Sequence, residues 1–353
     1  ETGKTSYNGN YGLNASWTIY NGSKRLNTIK QERLNNQVAN LDVETSENSI
    51  QESIAQIYIQ ILYAAESVKV NENTLQVSIA QRDRGQELLN AGSIAKSDFA
   101  QLEAQVSTDR YQLVTAQATL QDYKLQLKQL LELDGENEMN IYLPVLSDEN
   151  VLLPLPAKKD VYMSALTLRP EIEASKINVE ASELGIDIAK AGYLPTISLS
   201  AGIGTNHTSG SDFTFGEQVK NGWNNSIGVS VSVPIFNNRQ TKSAVQKAKL
   251  QRETSLLSLL DEQKTLYKTI EGLWLDANSA QQRYAAANEK LKSTQISYDL
   301  ISEQFDLGMK NTVELLTEKN NLLQAQQEQL QAKYMAILNT QLLKFYQGDK
   351  LAL

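Results

Sequence analysis

Residues 226–242, SIGVSVSVPIFNNRQTK, alternate between apolar and small or polar positions as far as Asn237, and then give way to a long run rich in Gln, Lys, Ala and Leu. Successive side chains in a strand point to opposite faces, so Ile227, Val229, Val231, Val233 and Ile235 share one face and Gly228, Ser230, Ser232 and Phe236 the other. The same alternation puts Leu13, Ala15, Trp17 and Ile19 opposite Asn14, Ser16, Thr18 and Tyr20. In LPTISLSAGIG (194–204), Ile197, Leu199, Ala201 and Ile203 oppose Thr196, Ser198, Ser200 and Gly202. Three strands of this kind fit a half-buried antiparallel sheet of a soluble domain, or a transmembrane barrel with lipid outside and water within. Periodicity alone favours the soluble sheet.

Two of these strands run into very long helices. From Ser23 to Asn90 and from Arg239 to Leu307 there is no proline, and apolar residues keep helical spacing, as in Ile50, Ile54, Ile57 and Ile61 or Leu266, Ile270 and Leu273. Each helix would extend about 100 Å. Both run into a Gly-containing turn, LLNAGSIAKSDF (88–99) and QFDLGMKNTVELL (304–316). Gly92 and Gly308 stand where a helix end favours a left-handed residue, and Ser97 and Asn311, the latter with Glu314 three on, read as N-caps of returning helices. Leu316, Leu323, Leu330 and Ile337, and Leu120, Tyr123, Leu127 and Leu130, are expected to form coiled-coil seams. The first return helix stops near Leu133, residues 134–156 read as irregular, and a further helical stretch from Asp160 to Gly192 completes the return to the strand at Leu194.

The chain also matches itself at one constant offset, which lays Gly12 over Gly228, Ser16 over Ser232, Ile19 over Ile235, Asn21 over Asn237, Tyr58 over Trp274 and Gly92 over Gly308. Two internal copies of one strand, helix, turn and helix unit are therefore expected.

Composition narrows the chemistry. The net charge of −8 and the lack of any Lys/Arg cluster larger than a pair argue against nucleic acid as a partner. The chain has no Cys, which removes disulfides, thiolate metal sites and thiol nucleophiles. Its one histidine, His207, reads as an ordinary loop residue, and one imidazole makes neither a metal site nor a triad. No catalytic, metal or cofactor constellation is recognised. No stretch reaches the roughly 18 apolar residues of a spanning helix, and residues 1–20 lack the form of a signal peptide.

The segment LTLRPEIEASKINVEASELGIDIAKAGYLPTISLSAGIG (166–204), with Arg169, Pro170 and Glu171 at a helix start and Leu194 and Pro195 leading into a strand, resembles the TolC-like outer-membrane efflux family. The junctions NASWTIYNGSK and SVSVPIFNNRQ and the two Gly-bearing turns resemble that family too, and the likeness covers nearly the whole chain in order. It implies a mainly α fold with a membrane β-barrel part: antiparallel coiled-coil hairpins forming a periplasmic α-barrel, and a homotrimeric twelve-stranded β-barrel to which each protomer gives four strands. On this basis residues 1–22 and 193–238 hold barrel strands and the outer loop. Residues 23–133, 157–192 and 239–345 hold the helical barrel, and 134–156 and 346–353 the equatorial segments. A first strand and a signal sequence are expected upstream of Glu1.

The function so implied is a passive outer-membrane duct of a Gram-negative bacterium, not an enzyme, working with a periplasmic adaptor and an inner-membrane transporter and opening at its helical tips. A protein-secretion duct and, from a different class, a soluble coiled-coil scaffold remain as alternatives. The likeness assigns Asp98 and Lys310 to links that hold the periplasmic aperture shut, and Glu314 to its lining, while Thr317 stands where a second acidic residue is common. Asp98 and Lys310 equally suit ordinary helix-end charges, and Glu314 equally suits a capping box with Asn311. Gly92, Ser93, Ile94, Ala95, Gly308 and Met309 are expected to meet the adaptor, and Ile227, Val229, Val231, Val233 and Ile235 to face lipid.

Overall fold

The computed structural model describes residues 6–133, 141–144 and 151–351, so residues 1–5 and 352–353 and most of the expected equatorial segment 134–156 lie outside the described residues. The elements are β1 (Asn8–Asn21), α1 (Lys24–Asn90), α2 (Lys96–Leu130), α3 (Lys158–Leu168), α4 (Pro170–Lys190), β2 (Thr196–Thr208), α5 (Phe215–Asn221), β3 (Asn224–Ser232), α6 (Gln240–Asp306) and α7 (Thr312–Gln347). The chain divides into two compact units, Glu1–Asp42 with Glu171–Glu262 and Val43–Pro170 with Gln263–Leu353.

In the first unit the three strands form one antiparallel sheet in the order β1-β2-β3, leaving β1 and β3 as free edges. Register sorts the residues by polarity. Ala15, Ala201 and Ile227 stand in one row and Trp17, Leu199 and Val229 in the next, whereas Ser16, Ser200 and Gly228 or Thr18, Ser198 and Ser230 occupy the rows between. A bulge between Thr18 and Tyr20 makes Ile19 the extra residue and brings Tyr20 opposite Ile197, not onto the polar face that unbroken alternation predicted. The ladder stops at Ser232 opposite Thr196, because Pro195 has no N–H to continue it, so Val233 and Ile235 lie beyond the strand. His207 is a strand residue paired with Gly9, not a loop residue. At the β1–α1 corner Gly22 has φ +67°, and a Cβ there would lie 2.8 Å from Leu194 Cβ, so the turn needs glycine twice over.

Three helical segments continue this unit. The Gln31 amide donates to the Ala181 carbonyl at 2.8 Å, Arg252 pairs with Glu183 at 2.9 Å, and the Ser182 and Ser255 hydroxyls meet at 2.7 Å. These bonds join the starts of α1 and α6 to α4. The helical stretch expected from Asp160 to Gly192 is two helices, since Arg169 is extended (ψ 124°) ahead of Pro170, whose ring disfavours a helical predecessor. Pro170 instead opens α4, with Glu171 and Glu173 in its first turn.

In the second unit α1 packs with α2, and α6 with α7. The main core joins Ala55, Ile59 and Leu62 of α1, Ala280 and Tyr284 of α6, and a nearly continuous buried stretch of α7 from Leu330 to Leu342. Arg169 stacks on Tyr346 at 4.2 Å and pairs with Glu52 at 3.1 Å, tying the α3–α4 break to the end of α7 and to α1. The seam of α2 runs Leu102, Val106, Asp109, Leu113, Ala116, Leu120, Tyr123, Leu127 and Leu130, a 4-3 alternation carried along the whole helix. On the first half of α7, however, Leu315, Lys319 and Leu322 are the buried line, and Leu316 and Leu323, the expected seam residues, are only half-buried.

Candidate functional site

The turns that join the paired helices have the same backbone. Gly92 and Gly308 both have φ +72°, and the Ser93 N–H donates to the Leu88 carbonyl as the Met309 N–H does to that of Gln304, each at 2.8 Å. Single left-handed glycines of this kind stop a helix and use its last free carbonyls.

The starts of the return helices differ. Asn311 caps α7, its Oδ1 accepting the Glu314 N–H at 2.9 Å while Glu314 Oε2 accepts the Asn311 N–H at 3.2 Å, which is a full capping box. Glu314 Oε1 also receives Lys310 Nζ at 2.6 Å, so the lysine bond and the Asn311 backbone bond hold its carboxyl below the usual range. Helix α2 is capped by Ala95 and not by Ser97. Its N–H reaches Asp98 Oδ2 at 3.3 Å, and alanine has no side-chain acceptor to complete the reciprocal bond.

Each expected tip residue can now be placed. Gly92, Ser93, Ala95, Gly308 and Met309 are exposed at the turns, with Met309 71% exposed. Ile94 is half-buried, its end in the space beside Gly85 that Leu102 also fills. Among the described residues no ion pair joins Asp98 to Lys310, since each carboxylate at the tips serves its own helix start. Thr317 turns its hydroxyl back onto the Val313 carbonyl at 2.7 Å.

Behind the tips lies a charged cluster that the sequence reading missed. Lys319 of α7 bonds both Asp109 of α2 and Ser78 of α1, Ser78 donates to Asp109, and Gln105 donates to the other Asp109 oxygen at 2.9 Å. Lys319, Asp109 and Ser78 are only 2–3% exposed. Burial draws the lysine below its ordinary range, against the pull of Asp109. A Ser–Lys contact elsewhere can activate a hydroxyl nucleophile, but here Asp109 holds both partners and no substrate reaches so buried an oxygen. The readable signal was heptad phase: once Leu315 and Leu322 define the seam, Lys319 falls at a core position.

In the first unit, among the described residues, α5 packs only on the end of the sheet near Tyr11 and Thr205, and both faces are otherwise uncovered. On the apolar face Leu13 is 70%, Trp17 64%, Ile227 84% and Val229 67% exposed. The polar-face rows from Gly12 to Asn21, with their partners on β2 and β3, contain Gly, Asn, Ser and Thr and no charged residue. Aromatic residues gather toward both ends: Tyr7, Tyr11, Phe213, Phe215 and Trp223 at one, Tyr20 and Tyr193 at the other, all exposed. Tyr11 meets Phe215 of α5 edge to face at 6.3 Å. Among the described residues no helix is long and apolar enough to cross a membrane.

The sequence model of the outer membrane efflux protein family matches residues 1–132 and 161–348. Outer membrane efflux protein BepC of Brucella suis is 25% identical over 294 residues, covering 83% of this chain and 61% of its own. Outer membrane protein TolC of Escherichia coli is 23% identical over 338 residues, covering 93% and 66%. The chain thus spans about two thirds or less of the length of these relatives. A crystal structure of CusC superposes with a TM-score of 0.82 at 18% identity, over 98% of this chain and 83% of that one, which is a likeness of fold.

Proposed function

The chain belongs to the outer membrane efflux protein family, and on that footing we propose that it is the passive outer-membrane duct of an export assembly, taking cargo from a periplasmic adaptor and inner-membrane transporter to the exterior. The observation that carries this reading is the sheet. Among the described residues most of its apolar face, most of its polar and uncharged face and its two edge strands are uncovered, an arrangement that soluble domains rarely maintain and that marks a protein or membrane interface. A closed barrel accounts for all of them, with the apolar face on lipid, the Ser/Asn/Thr face on water, and the edges paired. Tyr11 and Tyr20 are nine residues apart on β1, about 30 Å along the strand. With strands tilted by about 40°, that length comes close to the apolar band of outer-membrane barrels, about 25 Å tall and bordered by aromatic rings. In this reading Ile227, Val229 and Val231 face lipid.

Closure calls for strands from other copies, and a homotrimer with a twelve-stranded barrel meets that need. Internal duplication is supported by element bounds. The offset that lays Gly92 over Gly308 also lays the ends of α1, Lys24 and Asn90, over the ends of α6, Gln240 and Asp306, and the first residue of α2, Lys96, over that of α7, Thr312. The exposed turns at Gly92 and Gly308 are where the adaptor docks. Asp98 and Lys310, which are not paired with each other within one chain, close the aperture by meeting between neighbouring copies. Such exposed pairs contribute only about 0–1 kcal/mol each, so the closure is readily undone. No chemistry is performed on the cargo.

Extraction and conductance of the full-length protein test this. It should leave membranes only with detergent, run as a trimer, and give ion-conducting steps in planar bilayers. Replacing Asp98 and Lys310 together by Ala should raise that conductance. Release by salt alone as a non-conducting monomer would instead favour a soluble scaffold.

A further inference from the structure

The Lys319–Asp109–Ser78 cluster joins the two hairpins, because Lys319 comes from α7 while Asp109 and Ser78 come from α2 and α1. It occupies seam positions. Lys319 follows Leu315 by four residues and precedes Leu322 by three, and Asp109 stands between Val106 and Leu113 in the α2 seam. Along its own helix each charge lies two to four turns from the tip: eight residues after Asn311 for Lys319 and thirteen after Lys96 for Asp109. Nearer the tips a small apolar cluster of Leu102, Phe305 and Leu315 also bridges the hairpins.

A buried ion pair at seam positions is weak evidence of a stabilising role, since well-packed apolar residues of similar volume often hold such a site as well or better. What the pair changes is the cost of separation. Parting two leucines exposes apolar surface to water at full cost, whereas a parted lysine and aspartate regain the hydration they gave up on burial. An apolar cluster with an ionic link behind it thus holds firmly and in one register, yet opens at bounded cost. The link is particular to this junction: at the internal offset Ser78, Asp109 and Lys319 correspond to Thr294, Ala325 and Glu103, with Ala325 fully buried and Glu103 exposed.

We propose that Asp109 and Lys319, bridged by Ser78, form a separable clasp between the hairpins that holds the tips together when the duct is shut and parts when it opens. The clasp rests on the duct reading above. It differs from Asp98 and Lys310 in being buried, formed within one chain and set behind the aperture.

The test is single-channel recording of the full-length protein, with assembly checked by the heat resistance of the trimer. Asp109→Ala and Lys319→Ala should each raise the open fraction at least threefold, and the exchanged pair Asp109→Lys with Lys319→Asp should return it to within twofold of wild type. Asp109→Leu with Lys319→Met keeps the volume without the charges, so it should assemble and open less often than wild type. That last variant stays informative if a single variant, with its lone buried charge, does not assemble. Single variants that assemble and open like wild type, or an apolar pair that opens as often as wild type or more, would overturn the clasp alone. A wild-type protein that conducts nothing would overturn the duct reading and the clasp with it.

Discussion

The α1–α2 and α6–α7 hairpins are drawn to the same plan and end on the same turn, but their return helices live in different surroundings. On α7, Gln327 accepts bonds from Tyr63 and Ser67 of α1, while Glu328 and Glu318 are held by Lys290 and Ser297 of α6. Leu330 is 8% exposed. The counterparts of Gln327 and Leu330 on α2 are Tyr111 and Val114, and these are 71% and 59% exposed, with Leu125 at 51% further along. Helix α2 meets α1 and α7 along one side and leaves the other bare. Positions that correspond at the internal offset therefore do not have equivalent burial, and in the homotrimer proposed above the exposed flank of α2 would be the place for a neighbouring copy.

The largest expected effect breaks the two helices apart energetically. Leu330→Ala should destabilise the chain by about 2–3 kcal/mol through the cavity it leaves. Val114→Ala at the counterpart position should stay within about 0.5 kcal/mol in dissociated chains. Denaturant unfolding of full-length protein, before and after assembly, reads both. A Val114→Ala cost that rises on assembly places a neighbour against α2; equal costs in the dissociated chain would end the comparison.

Much of this plan was legible, and the exceptions have local causes. The long helices were bounded to within a residue because nothing breaks them between a strand corner and a glycine turn. The seam of α7 held at Leu330 and Ile337 but was misphased over its first half, because Leu315-Leu316 and Leu322-Leu323 are doublets that serve either phase equally. Only burial of Lys319 decides between them, and a lysine is the last residue periodicity would place in a core. That single residue of phase also hid the charged cluster. Pro170 was visible, but read as a start and not also as the end of the helix before it. The bulge at Ile19 leaves no mark on alternation that long. The docking at the tips and the closing of the aperture proposed above would involve other chains, whose positions no single sequence carries.

A smaller effect tests whether the two long helices are braced alike. Tyr58 of α1 donates its hydroxyl to the Tyr142 carbonyl at 2.7 Å, and Trp274, its counterpart on α6, donates its indole N–H to the Pro156 carbonyl at 3.1 Å. Both tie a long helix to the irregular connector. Trp274 also lies under Lys158 Nζ, 4.6 Å from the ring centre. Tyr58→Phe should lower stability by about 0.5–1 kcal/mol. Trp274→Phe should cost somewhat more, about 1–2 kcal/mol, from the lost bond together with a weakened cation–π contact. Urea unfolding of the two variants ranks them, and the reverse order would show that the two helices are braced by different means.

The smallest effect lies at the caps, where the two tips differ by one side chain. Asn311→Ala should cost about 1 kcal/mol locally, seen as roughly fivefold faster amide exchange in the first turn of α7. Ala95→Asn should move the first tip the other way, because Ala95 already has the extended backbone of a cap (φ −82°, ψ 159°) and Asp98 already holds its N–H. A gain of about 0.5–1 kcal/mol in the first turn of α2 is expected. Acid separates the tips further. The Glu314 carboxyl titrates below its ordinary value, so its contribution is complete above the normal carboxylate range and fades only as pH falls through the lowered value. Protection at the start of α7, corrected for intrinsic exchange, should therefore persist through mildly acid pH and be lost below the usual glutamate range, and Glu314→Gln should abolish that step. If Ala95→Asn leaves the first tip exchanging as before, the difference between the tips lies in the Lys310–Glu314 bond and not in the cap.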